Sequence, residues 1–359
     1  MNKKRRFGKM TIVLLLLFLI ICIFCFKFIN MNIVTKSKLI SLGYSDKEVN
    51  LIINNVLSKD YDLLIDNDNS IIDLINSKGY VKDNFSKYLD YYSRNKKSNI
   101  KNIISIVNSG YDLLDYPASN LLAALVKEKY YINKNVARYL DYGNTNRVST
   151  KKIVSIVNAK ADLDYYTDVS VSNIHDDNLI LVNKFYRLPD GYEPDDLVSL
   201  SSKYSQGVND KMRKEAADAF MKMVDAALLD NIILKNASAY RSFDYQVSLY
   251  DGYTKRDGVE KADIYSARPG YSEHQTGLCT DINTIDASFH GTSESDWLLE
   301  NAYKYGFIIR FPKNKEKITG YKYEPWHYRY VGEKAAKIIY KNDLTLEEYY
   351  AFYIENKRL

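Results

Sequence analysis

Two histidines stand among carboxylates at spacings that could hold a metal ion. His274 and Asp281 enclose six residues, and Glu324-Pro325-Trp326-His327 sets a second acid three positions ahead of a second imidazole. A catalytic zinc takes three protein ligands from His, Asp, Glu and Cys and keeps one position for water. Two imidazoles and one carboxylate meet that count, and the other carboxylate is left free to act as a base. Gly277 lets the chain turn after His274, so that Asp281 re-enters on the following strand, on the same side as its alternate neighbour Cys279. The two motifs then converge across adjacent strands. Either motif alone is common by chance, and a lone histidine is more often a structural residue than a ligand. The chain has four histidines, and the other two, His175 and His290, match no motif and are read as surface or capping residues.

The elements that must position these groups are legible from periodicity. Asn209 to Asp230 places Met212, Ala216, Phe220, Met223 and Ala227 on one helical face, and Ile232-Ile233-Leu234 reads as a short buried strand behind it. Further strands are expected at Leu278 to Asn283, Gly306 to Phe311 and Tyr321 to Tyr330. They are separated by loops rather than regular crossover helices, which favours an α+β domain with a mostly antiparallel sheet over a doubly wound one. Thr345-Leu346-Glu347-Glu348 is a capping box that opens a short final helix.

Three further stretches accompany the motifs in one order: Ser238-Ala239-Tyr240-Arg241-Ser242, Arg268-Pro269-Gly270-Tyr271-Ser272-Glu273-His274-Gln275-Thr276-Gly277, and Glu324-Pro325-Trp326-His327-Tyr328. On these residues the chain resembles the zinc-dependent D-alanyl-D-alanine carboxypeptidases, the VanY-like peptidase family M15, which also includes L,D-carboxypeptidases of peptidoglycan. The similarity runs from about Leu181 to about Tyr349, half of the chain. It implies a Hedgehog/DD-peptidase-like fold, a bound zinc ion and peptidoglycan stem peptides as substrate. It also implies His274, Asp281 and His327 as zinc ligands, Glu324 as general base and Arg241 at the scissile carbonyl or the substrate carboxylate. Gln246, Ser272, Trp326 and Tyr240 lie in or beside the matched stretches and are expected to bind substrate. Cys279 stands where such enzymes often carry a small residue and is read as a buried structural cysteine. D,D-cleavage of pentapeptides and L,D-cleavage of tetrapeptides remain open, as do an endopeptidase or dipeptidase of the same chemistry. A wall-binding protein that has lost catalysis is a further alternative, against which the full set of ligands, base and arginine argues.

Ahead of this domain the chain has a different texture. Residues 10–29 are almost unbroken in apolar character, and about 20 residues at 1.5 Å each cross the ~30 Å hydrocarbon layer. Lys3, Lys4, Arg5, Arg6 and Lys9 precede the run, so residues 1–9 are expected in the cytoplasm, 10–29 as a signal anchor and the remainder outside the cell membrane. Those five charges equal the net charge of +5, so the rest of the chain sums to zero and gives no general electrostatic case for a nucleic-acid partner. Between residues 30 and 170, Tyr88-Leu89-Asp90-Tyr91 recurs as Tyr139-Leu140-Asp141-Tyr142, and Ile103 to Asn108 recurs as Ile153 to Asn158. Repeats of about 50 residues imply stacked helical units forming an all-α stalk. The expected order is therefore tail, transmembrane helix, helical repeats, and a catalytic domain over 175–353. One cysteine outside the apolar segment, Cys279, leaves that domain without an internal disulfide.

Overall fold

Apolar side chains three and four apart, behind Ser and Asn caps, set the short helices of the first part of the chain. Ser45 caps the helix Asp46–Asn55 with the expected capping box to Glu48, and Asn99 and Ser119 cap Ile100–Asn108 and Asn120–Leu125. The computed structural model describes residues 16–22, 33–64 and 69–356. These fall into two compact units, Met1–Lys129 and Tyr130–Leu359. The first buries Val49, Ile52, Val56, Leu64, Ile71 and Phe85 in one core. Most of the expected membrane span lies outside the described residues; its described part, 16–22, is helical. Among the described residues no helix is long and apolar enough to cross a membrane.

The repeat has a physical basis that its sequence only outlines. In the first copy Tyr88 donates its hydroxyl to Asn108 Oδ1 and accepts from the Val81 amide at 3.2 Å. Asn84 donates to the same Asn108 oxygen at 3.0 Å, and Asn108 Nδ2 donates to Gly79 O at 2.7 Å. In the second copy Tyr139, Asn158, Ile132, Asn135 and Tyr130 make the same bonds, with Asn135 to Asn158 at 3.0 Å and Asn158 to Tyr130 O at 2.9 Å. Each copy thus satisfies the polar atoms that its Tyr and Asn bring inside. The second copy, helices Val136–Thr145 and Thr150–Asn158, belongs to the same compact unit as the sheet. There Tyr130 sets its ring edge-on to Phe352, and Lys317 donates to the Tyr142 hydroxyl at 2.6 Å.

Two small pairs frame that unit: β1 (Ser170–Val171) with β2 (Tyr186–Arg187), parallel, and β3 (Leu197–Ser199) with β4 (Lys211–Arg213), antiparallel. The main sheet holds β5 (Asn236–Ser238), β6 (Cys279–Ile282), β7 (Phe307–Ile309) and β8 (His327–Tyr330) in the order β5-β6-β8-β7, antiparallel throughout. On it packs the helix Lys214–Leu229, whose Ala216, Phe220, Met223 and Ala227 are fully buried with Met212 of β4. The apolar stripe was legible, but its first member lies on a strand. Ile232-Ile233-Leu234 is not a strand: Ile233 is 63% exposed, and the ladder begins at Asn236, where the chain reaches β6. The last expected strand is shortened to His327–Tyr330 after Pro325, which has no amide to give a ladder. Thr345 makes the expected capping box with Glu348 over Leu346–Tyr349.

The Tyr139–Asn158 lock generates a stability prediction. Asn158→Ala strips a fully buried tyrosine hydroxyl of its acceptor together with two further hydrogen bonds, and should destabilise the second unit by about 3 kcal/mol. Urea unfolding of the variant against the wild type measures this; a change below about 0.5 kcal/mol would show that the network is dispensable.

Candidate functional site

Strand register brings the first two chemical groups together. Asp281 of β6 lies directly opposite His327 of β8, and Ser238 of β5 opposes Asp281 from the other side. Directly opposed residues hold their Cβ atoms about 5 Å apart, and here the Asp281 Oδ1 to His327 Nδ1 distance is 3.2 Å. His274 arrives from a one-turn 3-10 helix, Glu273–Thr276, closed by Gly277 at φ +67°. A side chain at Gly277 would place its Cβ 2.8 Å from Leu197 Cδ2 and 3.2 Å from the Arg213 amide, so both the turn and the close approach require glycine. His274 Nε2 lies 3.5 Å from Asp281 Oδ2, and the two imidazole rings stand edge to face with centroids 4.9 Å apart.

The donor atoms fit zinc. His274 Nδ1 is held by Ala239 O at 2.6 Å, so its other nitrogen, Nε2, faces the site. That atom and Asp281 Oδ1 are buried with no hydrogen-bond partner among the described residues. Two ligands each about 2.1 Å from one tetrahedral zinc are separated by about 3.4 Å, and the histidine nitrogens lie at similar spacings from Asp281, His327 Nδ1 3.2 Å from Oδ1 and His274 Nε2 3.5 Å from Oδ2. Burial, followed by the Arg241 charge, lowers the His274 pKa to about 3, so the ring is neutral, the form in which an imidazole can bind a metal. Burial alone would raise Asp281, but His274, His327 and Arg241 hold it at about 2, ionised. The Cys279 sulfur also lies within 4.8 Å of donor atoms of both histidines. Burial pushes its thiol pKa up, and a protonated thiol is a poor ligand beside an ionised carboxylate.

Glu324 and Arg241 complete the group. Glu324 Oε2 is 3.8 Å from His327 Nδ1, and burial followed by the Asp281 charge pushes its carboxyl up to about 7. Arg241 follows β5, its amide donating to His274 O at 3.2 Å and its Nη2 lying 3.3 Å from Asp281 Oδ2. All five residues line one cavity of about 490 Å³. Gln246, Ser272 and Trp326 line it too, and the Gln246 amide donates to Ala267 O at 2.8 Å while its buried oxygen has no hydrogen-bond partner among the described residues. Tyr240 does not line it. Its neighbour Arg241 turns inward, and the Tyr240 phenol faces Glu193 instead.

Sequence reasoning passed over the charges beneath the site. Arg310 and Arg329 are completely buried, and Glu273 and Glu347 nearly so. Glu273 Oε1 accepts from Arg310 Nε at 2.7 Å and from Arg329 Nη1 at 2.9 Å. Arg310 also grips both oxygens of Glu347. Glu273 adjoins His274, and that adjacency is the only sequence signal that could have pointed to it.

Comparisons agree with the domain outlined by these residues. The family model described as VanY, D-alanyl-D-alanine carboxypeptidase, matches residues 209–333. The chain is 50% identical over 181 residues to YodJ of Bacillus subtilis (strain 168), a protein to which carboxypeptidase activity is ascribed; the match covers 48% of this chain and 66% of that one. It is 33% identical over 188 residues to the bifunctional D-Ala-D-Ala dipeptidase and carboxypeptidase VanXYC of Enterococcus gallinarum, covering 50% of this chain and 97% of that one. It spans 66, 63 and 65% of three curated relatives' lengths, about two thirds or slightly less. Among solved structures, the LdcB LD-carboxypeptidase is 47% identical, over 52% of this chain and 91% of its own, with a TM-score of 0.49.

The buried carboxyl makes a pH prediction for the metal-free protein. Glu324 ionises at its ordinary 4.5 when unfolded and at about 7 when folded. Between these values the folded state holds the extra proton, so this contribution to stability is full below pH 4.5 and is lost as pH rises through 7. In the presence of chelator, wild type should lose roughly 3 kcal/mol relative to Glu324→Gln between pH 4.5 and 8. Urea titrations at the two pH values read the difference; a gap that does not change with pH would contradict the burial effect.

Proposed function

The chain belongs to the VanY family of D-alanyl-D-alanine carboxypeptidases, and from that premise we propose that it is a zinc carboxypeptidase removing the terminal D-Ala from peptidoglycan stem peptides. The observation that carries the reading is the convergence of His274 Nε2 and His327 Nδ1 on the Asp281 carboxylate, with Glu324 beside them in the same cavity. His274, Asp281 and His327 would hold zinc, which would supply Lewis acidity and a water that is readily deprotonated near neutral pH.

The chain's own groups do the rest. Glu324 takes the proton of the attacking water as a carbon–oxygen bond forms at the carbonyl next to the terminal D-Ala. A base that lies beside the attacking water and inside the cavity both accepts and returns a proton without long-range transfer, and Glu324 holds that place. The Arg241 guanidinium, beside Asp281, steadies the developing charge on the carbonyl oxygen. As the carbon–nitrogen bond breaks, Glu324 returns its proton to the leaving amine. Gln246, Ser272 and Trp326 form the walls against which the peptide end is oriented.

The proposed location is the cell membrane, single-pass, with the enzyme outside. It is supported by the basic cluster ahead of the apolar run and by the described segment 16–22, where Leu16 to Ile21 are each at least 50% exposed on an apolar helix. The first helical copy follows the anchor in the chain and serves as a spacer with a binding role, while the second folds with the sheet.

Incubation of the purified chain with muropeptides, with and without chelator, tests the reading by the amino acid released. D-Ala leaving pentapeptides in a chelator-sensitive reaction supports it. Release only from tetrapeptides would replace it with L,D-carboxypeptidase activity, and release from neither by the zinc-loaded protein would leave a wall-binding role. Glu324→Gln should retain zinc and lose about 100- to 10,000-fold in turnover. His327→Ala should lose the metal, as read by elemental analysis of the purified protein.

A further inference from the structure

The two imidazoles of the site are used in opposite senses. His274 gives Nδ1 to Ala239 O and turns Nε2 inward, whereas His327 turns Nδ1 inward, 3.2 Å from Asp281, and leaves Nε2 pointing away from the site. A neutral imidazole that offers Nδ1 to a cation carries its proton on Nε2, and that proton needs an acceptor. His327 Nε2 is buried without a hydrogen-bond partner among the described residues, and so is Glu273 Oε2, which lies 3.7 Å from it. We propose that Glu273 is the positioning residue for His327, accepting the Nε2 proton and thereby directing the Nδ1 lone pair at the zinc. The proposal rests on the carboxypeptidase reading and names a residue for its metal site.

The geometry favours Glu273 on three counts. It precedes His274 in the same one-turn helix, so a single turn supplies one ligand and the acceptor for the other. Its second oxygen is clamped by Arg310 and Arg329, both fully buried, and Arg329 stands two positions beyond His327 on the same face of β8. Arg310 is in turn gripped by Glu347, so the cluster of two arginines and two glutamates is neutral in sum and the carboxylate is fixed from behind. Closing 3.7 Å to hydrogen-bond length requires a movement of about 1 Å. Cys279 is the competing neighbour, but a thiol sulfur is only a weak acceptor.

The test compares zinc affinity of the full chain in detergent by competition with a chromophoric chelator. Glu273→Gln keeps an oxygen for the arginines and turns an amide donor toward the His327 N–H, so two donors face each other. It should weaken zinc binding by about 10- to 100-fold, whereas Cys279→Ala should bind as wild type does. Independently, histidine 15N spectra of the zinc-loaded wild type should show His327 protonated and hydrogen-bonded at Nε2. A folded Glu273→Gln with unchanged affinity, an equal loss in Cys279→Ala, or a wild-type His327 protonated at Nδ1 would overturn the assignment. Wild type that binds no zinc would remove the carboxypeptidase reading as well. A zinc-binding wild type with an unaffected variant removes only the role of Glu273.

Discussion

The pairing of Asp281 with His327 across β6 and β8 is the constraint on which the site depends. A slip of one residue would turn both side chains to the opposite face of the sheet, because strand side chains alternate. The register is fixed by what surrounds it. On the opposite face Thr280 faces Tyr328, and on the same face Cys279 faces Arg329, every one of them buried. Candidate donors on adjacent strands are held more firmly than donors on loops, and the one candidate outside the ladder, His274, is tied to it through the Arg241 amide and Ala239 O.

Beneath this pair the protein keeps four charges out of water. Such burial is costly, and attraction offsets the cost only where each charge has close partners. Glu273 and Glu347 against Arg310 and Arg329 meet that requirement, with Asn183 donating to Glu347 at 3.1 Å and Ile180 O accepting from Arg329 at 2.8 Å. The cluster joins the segment before β2, the end of β7, β8 and the C-terminal helix at one place. Its role in the fold is to make the sheet that carries Asp281 and His327 depend on residues far apart in the chain.

How much of this was legible in the sequence depended on the kind of signal. The convergence of the two His–carboxylate motifs, the glycine at 277, both capping boxes and the apolar stripe from Ala216 to Ala227 follow local rules, and the structure places them accordingly. Ile232 to Leu234 misled because a short apolar run looks alike whether it enters a sheet or approaches one. Arg310, Arg329 and Glu347 gave no signal, and Glu273 only its adjacency to His274, since charged residues ordinarily face solvent and only tertiary pairing brings them inside. Tyr240 stood beside Arg241 in the matched stretch, yet adjacency along an extended chain sends neighbours to opposite sides.

The tyrosine–asparagine lock shared by the two helical copies carries a consequence for how such a chain changes length. Each copy closes its own interior polar atoms, so a whole copy is a self-sufficient unit of insertion or loss, whereas a partial one would strand a tyrosine hydroxyl in an apolar interior. Duplication ahead of Tyr130 adds material without disturbing the copy folded together with the sheet. The chain can then lengthen or shorten in whole steps of about 50 residues while the chemistry stays fixed.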